Sequence, residues 1–378
     1  MQEIKKRRIV LASLLKPVDD TRMYEKLGIS LADQYDVTIT GQPTFASISA
    51  GNISVRPLPR FNRLSIRRLL APYYVLRVVL SARPDILIIC SSELLPLALV
   101  VGIFGRTRIV YDVQENYAMN IRHGTAWPRF VRPLLAAGVR SIEWISAPIV
   151  DHYLLAEKSY ASELRFIGSK FTIVENKVVR TALPFGRSLP VKTPQNFNDT
   201  GMKLLFTGTL ADSTGVFEAI ELARRLHYVN DNTRLRVIGY AAKADVRTRL
   251  KELAAACSFI QLEGIDQLVP HGEILSAIES AHFGIISYPR NVSTWSSYPT
   301  KLYEYLGRRL PVLLVNNTEW VNYCAPYGAA VVFDPDNIDE RALLTAMTNN
   351  SFYLIEPKEV FWDSEVPKLL QALRQVLR

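Results

Sequence analysis

A chain of 378 residues is long enough for two domains of ordinary size, each able to bury its own core. With 48% apolar and 21% charged residues it is globular and excluded from the intrinsically disordered class. Three scattered cysteines, Cys90, Cys257 and Cys324, exclude a disulfide framework and a cysteine zinc site and fit a reducing compartment; the formal charge of +9 lies in residues 1–180.

Lys5 to Arg8 and the apolar run Ile9 to Leu15 have the outline of a secretion signal. Lys16, Pro17, Asp19 and Asp20 interrupt it and no small-residue cleavage site follows, so Arg8 to Leu15 is expected to be a buried strand. A helix from Thr21 to Gln34 and a strand from Asp36 to Thr40 follow. In the connecting loop Asp20 or Thr21 suits an N-cap. Arg22 in the first turn opposes the helix dipole, which favours a binding role over a structural one.

Between Val55 and Pro84 the chain carries Arg56, Arg60, Arg63, Arg67, Arg68, Arg77 and Arg83 with no acid, interleaved with Leu58, Phe61, Leu64 and Tyr73. The part from Leu64 to Ser81 has helical spacing. A basic amphipathic stretch suits an anionic membrane surface or an acceptor carrying diphosphate on a lipid, and a solvated basic helix face accounts for it as well. Nothing else resembles a nucleic-acid module, so no nucleic-acid partner is expected.

Ile86 to Gly105 approaches membrane-spanning length, but Ser91, Ser92 and Glu93 sit inside it. A strand (Ile86 to Cys90), a loop and a helix (Leu94 to Phe104) explain the run, and no transmembrane helix is expected. A strand at Arg108 to Tyr111 leads into the polar loop Asp112, Gln114, Glu115 and Asn116. Pro128 to Ile145 and Val150 to Glu163 have helical patterns, and Phe171 to Val174 that of a strand. His123, His152, His271 and His282 show no metal spacing, and no metal or other cofactor is expected.

From Lys177 to Met202 the pattern dissolves into Pro, Gly and Asn, the mark of a linker. The expected boundaries are a first domain at 1–182, a linker at 183–202, a second domain at 203–362 and a last helix at 363–378. The second domain alternates again: strands at Lys203 to Thr207, Arg234 to Ile238 and Ser258 to Leu262, with helices from Val216, Lys243 and Gly272. Such alternation predicts parallel sheets with helices on both faces. Gly208 permits close backbone approach of a ligand, and Gly239-Tyr240 and Gly264-Ile265 end neighbouring strands where parallel sheets bind ligands; ordinary glycine turns fit these positions equally.

Ile285 to Asn316 is the densest stretch: a strand at Phe283 to Ser287, a polar loop at Tyr288 to Ser297, a helix at Pro299 to Arg308 and a strand at Pro311 to Val315. Pro299 opens the helix, whose first-turn N–H groups face anionic oxygens. Lys301 and Glu304 share one face: the cation suits a phosphate and the carboxylate suits sugar hydroxyls. A helix start with both side chains in water has the same spacing.

The phrase Pro299, Lys301, Leu302, Glu304, Tyr305, then Gly307 and Pro311, resembles the donor-binding segment of group 1 (family 4) retaining glycosyltransferases. The resemblance implies the GT-B fold: two Rossmann-like doubly wound α/β domains facing a central cleft, with the last helix crossing back to the first domain. It implies that Glu304 bonds the donor ribose; that Gly208, Thr209, Arg290, Ser297, Thr300 and Lys301 surround the diphosphate; and that Gly239, Tyr240 and Ile265 flank the base. Asp20, Arg22 and Glu93 would line the acceptor side, and Asp112, Gln114 and Glu115 the reacting sugar. Four departures stand out: Thr209 and Thr214 occupy the family's Arg and Lys positions, Ser296 its first Glu, and Gln114 replaces a His.

The function implied is a retaining transfer from a nucleotide sugar (UDP- or GDP-linked) to a lipid-linked or polysaccharide acceptor in bacterial surface glycan synthesis. The donor phosphate would take the acceptor proton, in a cytoplasmic protein touching the inner membrane face. Alternatives are a non-catalytic partner subunit, suggested by the missing cations, and a sugar-nucleotide epimerase of the same fold.

Overall fold

The computed structural model describes residues 6–44, 52–61, 65–124, 127–180, 201–292 and 295–378. Residues 183–200 of the expected linker, Lys5, Arg63, Leu64 and two residues of the loop 288–297 lie outside these, and nothing is described of the Arg67 side chain. The chain divides into two compact units, Met1–Val179 with Trp362–Arg378, and Arg180–Phe361.

The first unit holds seven strands: β1 (Arg8–Pro17), β2 (Asp36–Gln42), β3 (Ile53–Val55), β4 (Ile86–Ile89), β5 (Arg108–Val113), β6 (His152–Leu155) and β7 (Phe171–Ile173). They pair in parallel in the order β3-β2-β1-β4-β5-β6-β7, with Ile9 opposite Val37 and Ile86. Continuous apolar runs such as Ile86–Ile89 suit strands covered on both faces. Because side chains alternate across a strand, Val10, Leu87 and Tyr111 join the helices Ala71–Ala82 and Leu95–Phe104, whereas Ile9, Leu11 and Ile88 join Leu27, Leu369 and Leu373 on the other face.

The chain over 150–163 is not the continuous helix its pattern suggested. His152–Leu155 is strand β6, buried throughout, followed by a short helix at Tyr160–Glu163. A short, fully buried apolar run has no periodicity that separates strand from helix, and pairing with β5 and β7 decides.

The second unit has six parallel strands: β8 (Lys203–Thr209), β9 (Arg234–Tyr240), β10 (Ile260–Ile265), β11 (Phe283–Ile286), β12 (Val312–Val315) and β13 (Ala330–Phe333). Their order is β10-β9-β8-β11-β12-β13. The strand order reverses between β8 and β11, which makes the carboxyl ends of these two strands the place where such sheets bind ligands.

The last segment belongs to the first unit. The Trp362 backbone N–H donates to Val178 O (2.7 Å) and its indole to Ser30 Oγ (2.8 Å). The helix Val366–Val376 then buries Leu369, Ala372 and Leu373. Glu365 is fully buried, accepting from Lys177 Nζ (2.7 Å), Lys368 Nζ (2.8 Å) and the Glu175 N–H (3.0 Å).

Candidate functional site

The second unit assembles its candidate site around the turn after β8. Gly208 has φ +97, a left-handed conformation that favours glycine, and a Cβ on Gly239 would collide with its carbonyl. The next turn closes at Gly215 (φ +79), tied down by Ser287 Oγ donating to Gly215 O (2.7 Å). Thr214 does not reach outward: its hydroxyl donates to Thr209 O (2.7 Å) and accepts from the Ala211 N–H (3.1 Å). Thr209 is exposed.

Facing this turn is the helix Thr300–Gly307, whose N-cap is Pro299 and whose first turn has no side-chain cap. Its N–H groups and dipole therefore present partial positive charge. Lys301 is 6% exposed, and its Cε lies 4.0 Å from where a Gly208 Cβ would stand. Among the described residues the ammonium has no hydrogen-bond partner; it sits 3.6 Å from the Phe206 ring centroid and 5.1 Å from that of Tyr288. Burial lowers the Lys301 pKa to about 7, with Glu304 pulling the other way. Such a cation is held ready for an anion.

Glu304 is largely buried and bonds His271 Nε2 at 3.0 Å. His271 opens the helix His271–Ser280, far away in sequence, and spacing alone gave no reason to single it out. Tyr305 OH bonds the Thr207 N–H (3.1 Å) and hydroxyl (3.0 Å), fixing this helix to β8. Gly239 and Ile265 are buried and Tyr240 half-buried where β9 and β10 end side by side, with Gly239 opposite Gly264 and Tyr240 opposite Ile265. Thr300 and Arg290 are exposed; Arg290 lies 5.8 Å from the Trp295 ring centroid. Ser297 contributes its carbonyl to Trp320 Nε1 (3.1 Å).

In the first unit, the loops after β1 and β5 share one polar network. Asp20 is the N-cap, accepting from the N–H groups of Arg22 (3.1 Å) and Met23 (2.9 Å). Arg22 and Asp112 form a buried pair at 2.7 Å. Burial alone would lower the Arg22 pKa, but Asp112 outweighs it and the guanidinium stays charged. Gln114 donates to Asp112 Oδ2 (2.6 Å) and accepts from Lys16 Nζ. Both Asp112 oxygens are thus held by Arg22 and Gln114, and the residue is 1% exposed. Arg22 likewise faces Asp112, not solvent, although its Nη1 has no partner.

Glu115 is exposed and accepts from Asn120 Nδ2 (3.1 Å). Glu93 pairs with Arg68, and its Oε2 has no hydrogen bond. Tyr117, which the sequence did not flag, has its pKa raised by burial and then by Glu115 and Glu93, so all three lie close together. Among the described residues no group of three or more His, Cys, Asp or Glu is placed to hold a metal ion.

No family model and no curated protein matches the chain. Solved structures do. Sucrose-phosphate synthase from Thermosynechococcus elongatus is similar with a TM-score of 0.73 at 11% identity, over 98% of this chain and 99% of that one. An Escherichia coli structure described as trehalose-6-phosphate bound with UDP-2-fluoro glucose gives 0.59 at 13%, over 98% and 95%. A UDP-forming trehalose-phosphate synthase from Burkholderia xenovorans in complex with glucose-6-phosphate gives 0.58 at 12%, over 98% and 96%. At these identities the likeness shows the fold: two Rossmann-like α/β units of GT-B type.

Proposed function

We propose that the chain is a retaining glycosyltransferase that takes a UDP- or GDP-linked sugar and transfers it to a lipid-linked or polysaccharide acceptor in surface glycan synthesis, at the cytoplasmic membrane face. The observation that supports this reading is Lys301, a buried ammonium without a hydrogen-bond partner among the described residues, at the open N-terminus of Thr300–Gly307. It supplies, from the facing helix, charge that Thr209 and Thr214 do not supply from the loop. Glu304, steadied by His271, is one turn further on and would accept from the ribose hydroxyls. In the first unit, Gln114 would bond the sugar, Glu115 and Glu93 would meet the acceptor, and the basic segment 55–84 would touch anionic lipid. The donor phosphate would accept the acceptor proton on the face it leaves.

A phosphorylated small sugar as acceptor is a second reading, favoured by the similar structure solved with glucose-6-phosphate. The test is thermal unfolding with UDP, GDP, ADP, TDP and CMP, followed by turnover of the matching nucleotide sugar. A ligand at a hundred times its dissociation constant adds about 2.7 kcal/mol to stability. One nucleotide should stabilise the native chain and not Glu304→Ala, and its sugar conjugate should be consumed. Binding without turnover on any acceptor would leave a non-catalytic partner subunit as the reading; no shift with any nucleotide would overturn the donor site.

A further inference from the structure

The helix Arg132–Ser146 is turned inside out. The residues it buries are Ala136, Glu143 and Ser146, whereas Leu134 (75% exposed), Trp144 (57%) and Ile145 (63%) face outward. The turn before it adds Phe130, 84% exposed. Inside, Glu143 meets Arg140 (2.8 Å) and Tyr111 OH (3.4 Å), and the buried Ser146 hydroxyl has no partner. A helix bordering water has its apolar stripe inward; this one suits an apolar medium outside.

The surface continues sideways. The neighbouring helix Leu95–Phe104 exposes Ile103 (62%) and Phe104 (85%). A groove of about 640 Å³ between it and Ala71–Ala82 has Leu80, Val100 and Phe104 in its lining, together with Arg83 and Arg106. The charge is mostly of one sign: Arg83, Arg106, Arg122, Arg129 and Arg132 stand against Asp85 in the groove, while Arg140 is paired with the inward-pointing Glu143.

We infer that this three-helix face docks on an anionic lipid bilayer, with Phe130, Trp144, Ile145 and Phe104 entering the acyl boundary and the arginines meeting lipid phosphates. The charge complementarity selects this occupant. A symmetric contact with a second copy would set the same arginines against each other. Trp127 and Trp144 are the aromatic type that settles at a lipid–water boundary. Among the described residues no helix is long and apolar enough to cross a membrane, so the contact is a surface one. The inference extends the membrane contact proposed above from the basic segment 55–84 to the helices Leu95–Phe104 and Arg132–Ser146 beside it, and rests on that premise of a bilayer.

The experiment is co-sedimentation of the full chain with phosphatidylcholine vesicles, with and without a third of phosphatidylglycerol. The native chain should partition onto the anionic vesicles, and Phe130→Ser with Ile145→Ser should weaken partitioning by about tenfold or more. Brominated acyl chains should quench Trp144 in a Trp127→Phe background. A circular-dichroism melting curve like that of the native chain establishes that the variant is folded. Native-like partitioning of the variant, or an unquenched Trp144, overturns the inference. Equally, sedimentation velocity showing a stable dimer that the same pair of substitutions dissolves would give the face to a second copy. Arg56→Glu with Arg60→Glu, exposed residues of the basic segment that are not on the helix face, separates the two readings: loss of binding there alone supports the basic segment and overturns the helix face, and loss with the Phe130 and Ile145 pair alone does the reverse.

Discussion

Lys301 is a charged group held where it is least comfortable. Its pKa falls from 10.5 to about 7 in the ligand-free fold, so below pH 7 the native chain carries the whole penalty of a buried ammonium. As pH rises from 7 towards 10.5 the unfolded chain stays protonated and the native one does not, and the penalty fades. Lys301→Met should therefore stabilise the ligand-free protein at neutral pH by on the order of 1–3 kcal/mol, while weakening nucleoside diphosphate binding by about 10–100-fold. An anion beside the ammonium restores its charge, so binding at pH 8 should take up a proton. Affinity should fall by up to about tenfold per pH unit above 7. Calorimetric titration in two buffers of different ionisation enthalpy measures that proton; a Lys301→Met variant that still takes it up would assign it to another group. Lys301 and Glu304 could be picked out from their spacing on one helical turn. His271 could not, because the contact that gives it meaning joins two helices that only the folded sheet brings together. Asp112 was legible as a polar residue at a strand end, but its full occupation by Arg22 and Gln114 depends on β1 and β5 flanking β4.

Among the elements, the last segment is the most demanding. Burial alone would push the Glu365 carboxyl up; Lys177 and Lys368 outweigh that and hold it below its usual range. Its contribution is present above about pH 4.5 and is lost as pH falls through the lowered value. Glu365→Gln should cost about 1–3 kcal/mol at neutral pH by removing the nearer of the two carboxylates beside the buried Lys177 ammonium; Glu175 Oε2 remains at 3.6 Å. The same substitution should flatten the acid side of the stability profile. Urea unfolding at pH 7 and pH 4 checks both, and a native-like midpoint at pH 7 would place the binding energy in the apolar face of Val366–Val376 instead. That face was readable from its helical spacing; Glu365 was not, because its partners lie across the fold. The strand β6 escaped for another reason, since four residues buried without alternation fit either regular structure. The helix Arg132–Ser146 was readable as a helix, but not as one with its polar side inward.

At the scale of the whole molecule, the alternation of strand and helix carried the architecture, and the likeness to solved structures at 11–13% identity shows how little of a sequence that architecture requires. What alternation does not carry is which residues end up opposite one another, and the candidate sites are made of such meetings. The return of Trp362–Arg378 to the first unit also sets an order of events during synthesis. The ribosome makes the first sheet before the second unit, yet Leu369, Ala372 and Leu373, which share with Met23, Leu27 and Leu31 the cover of Ile9, Leu11 and Ile88, emerge only after it. At about 5–20 residues per second, roughly 10–40 s pass while the second unit is translated. Throughout that interval one apolar face of the parallel sheet is only partly covered, by Met23, Leu27 and Leu31. Nascent chains stalled before residue 362 should therefore yield a protease-resistant second unit and a first unit that is cut, and release of the full chain should protect both. A first unit resistant before release would mean the face is closed by other means.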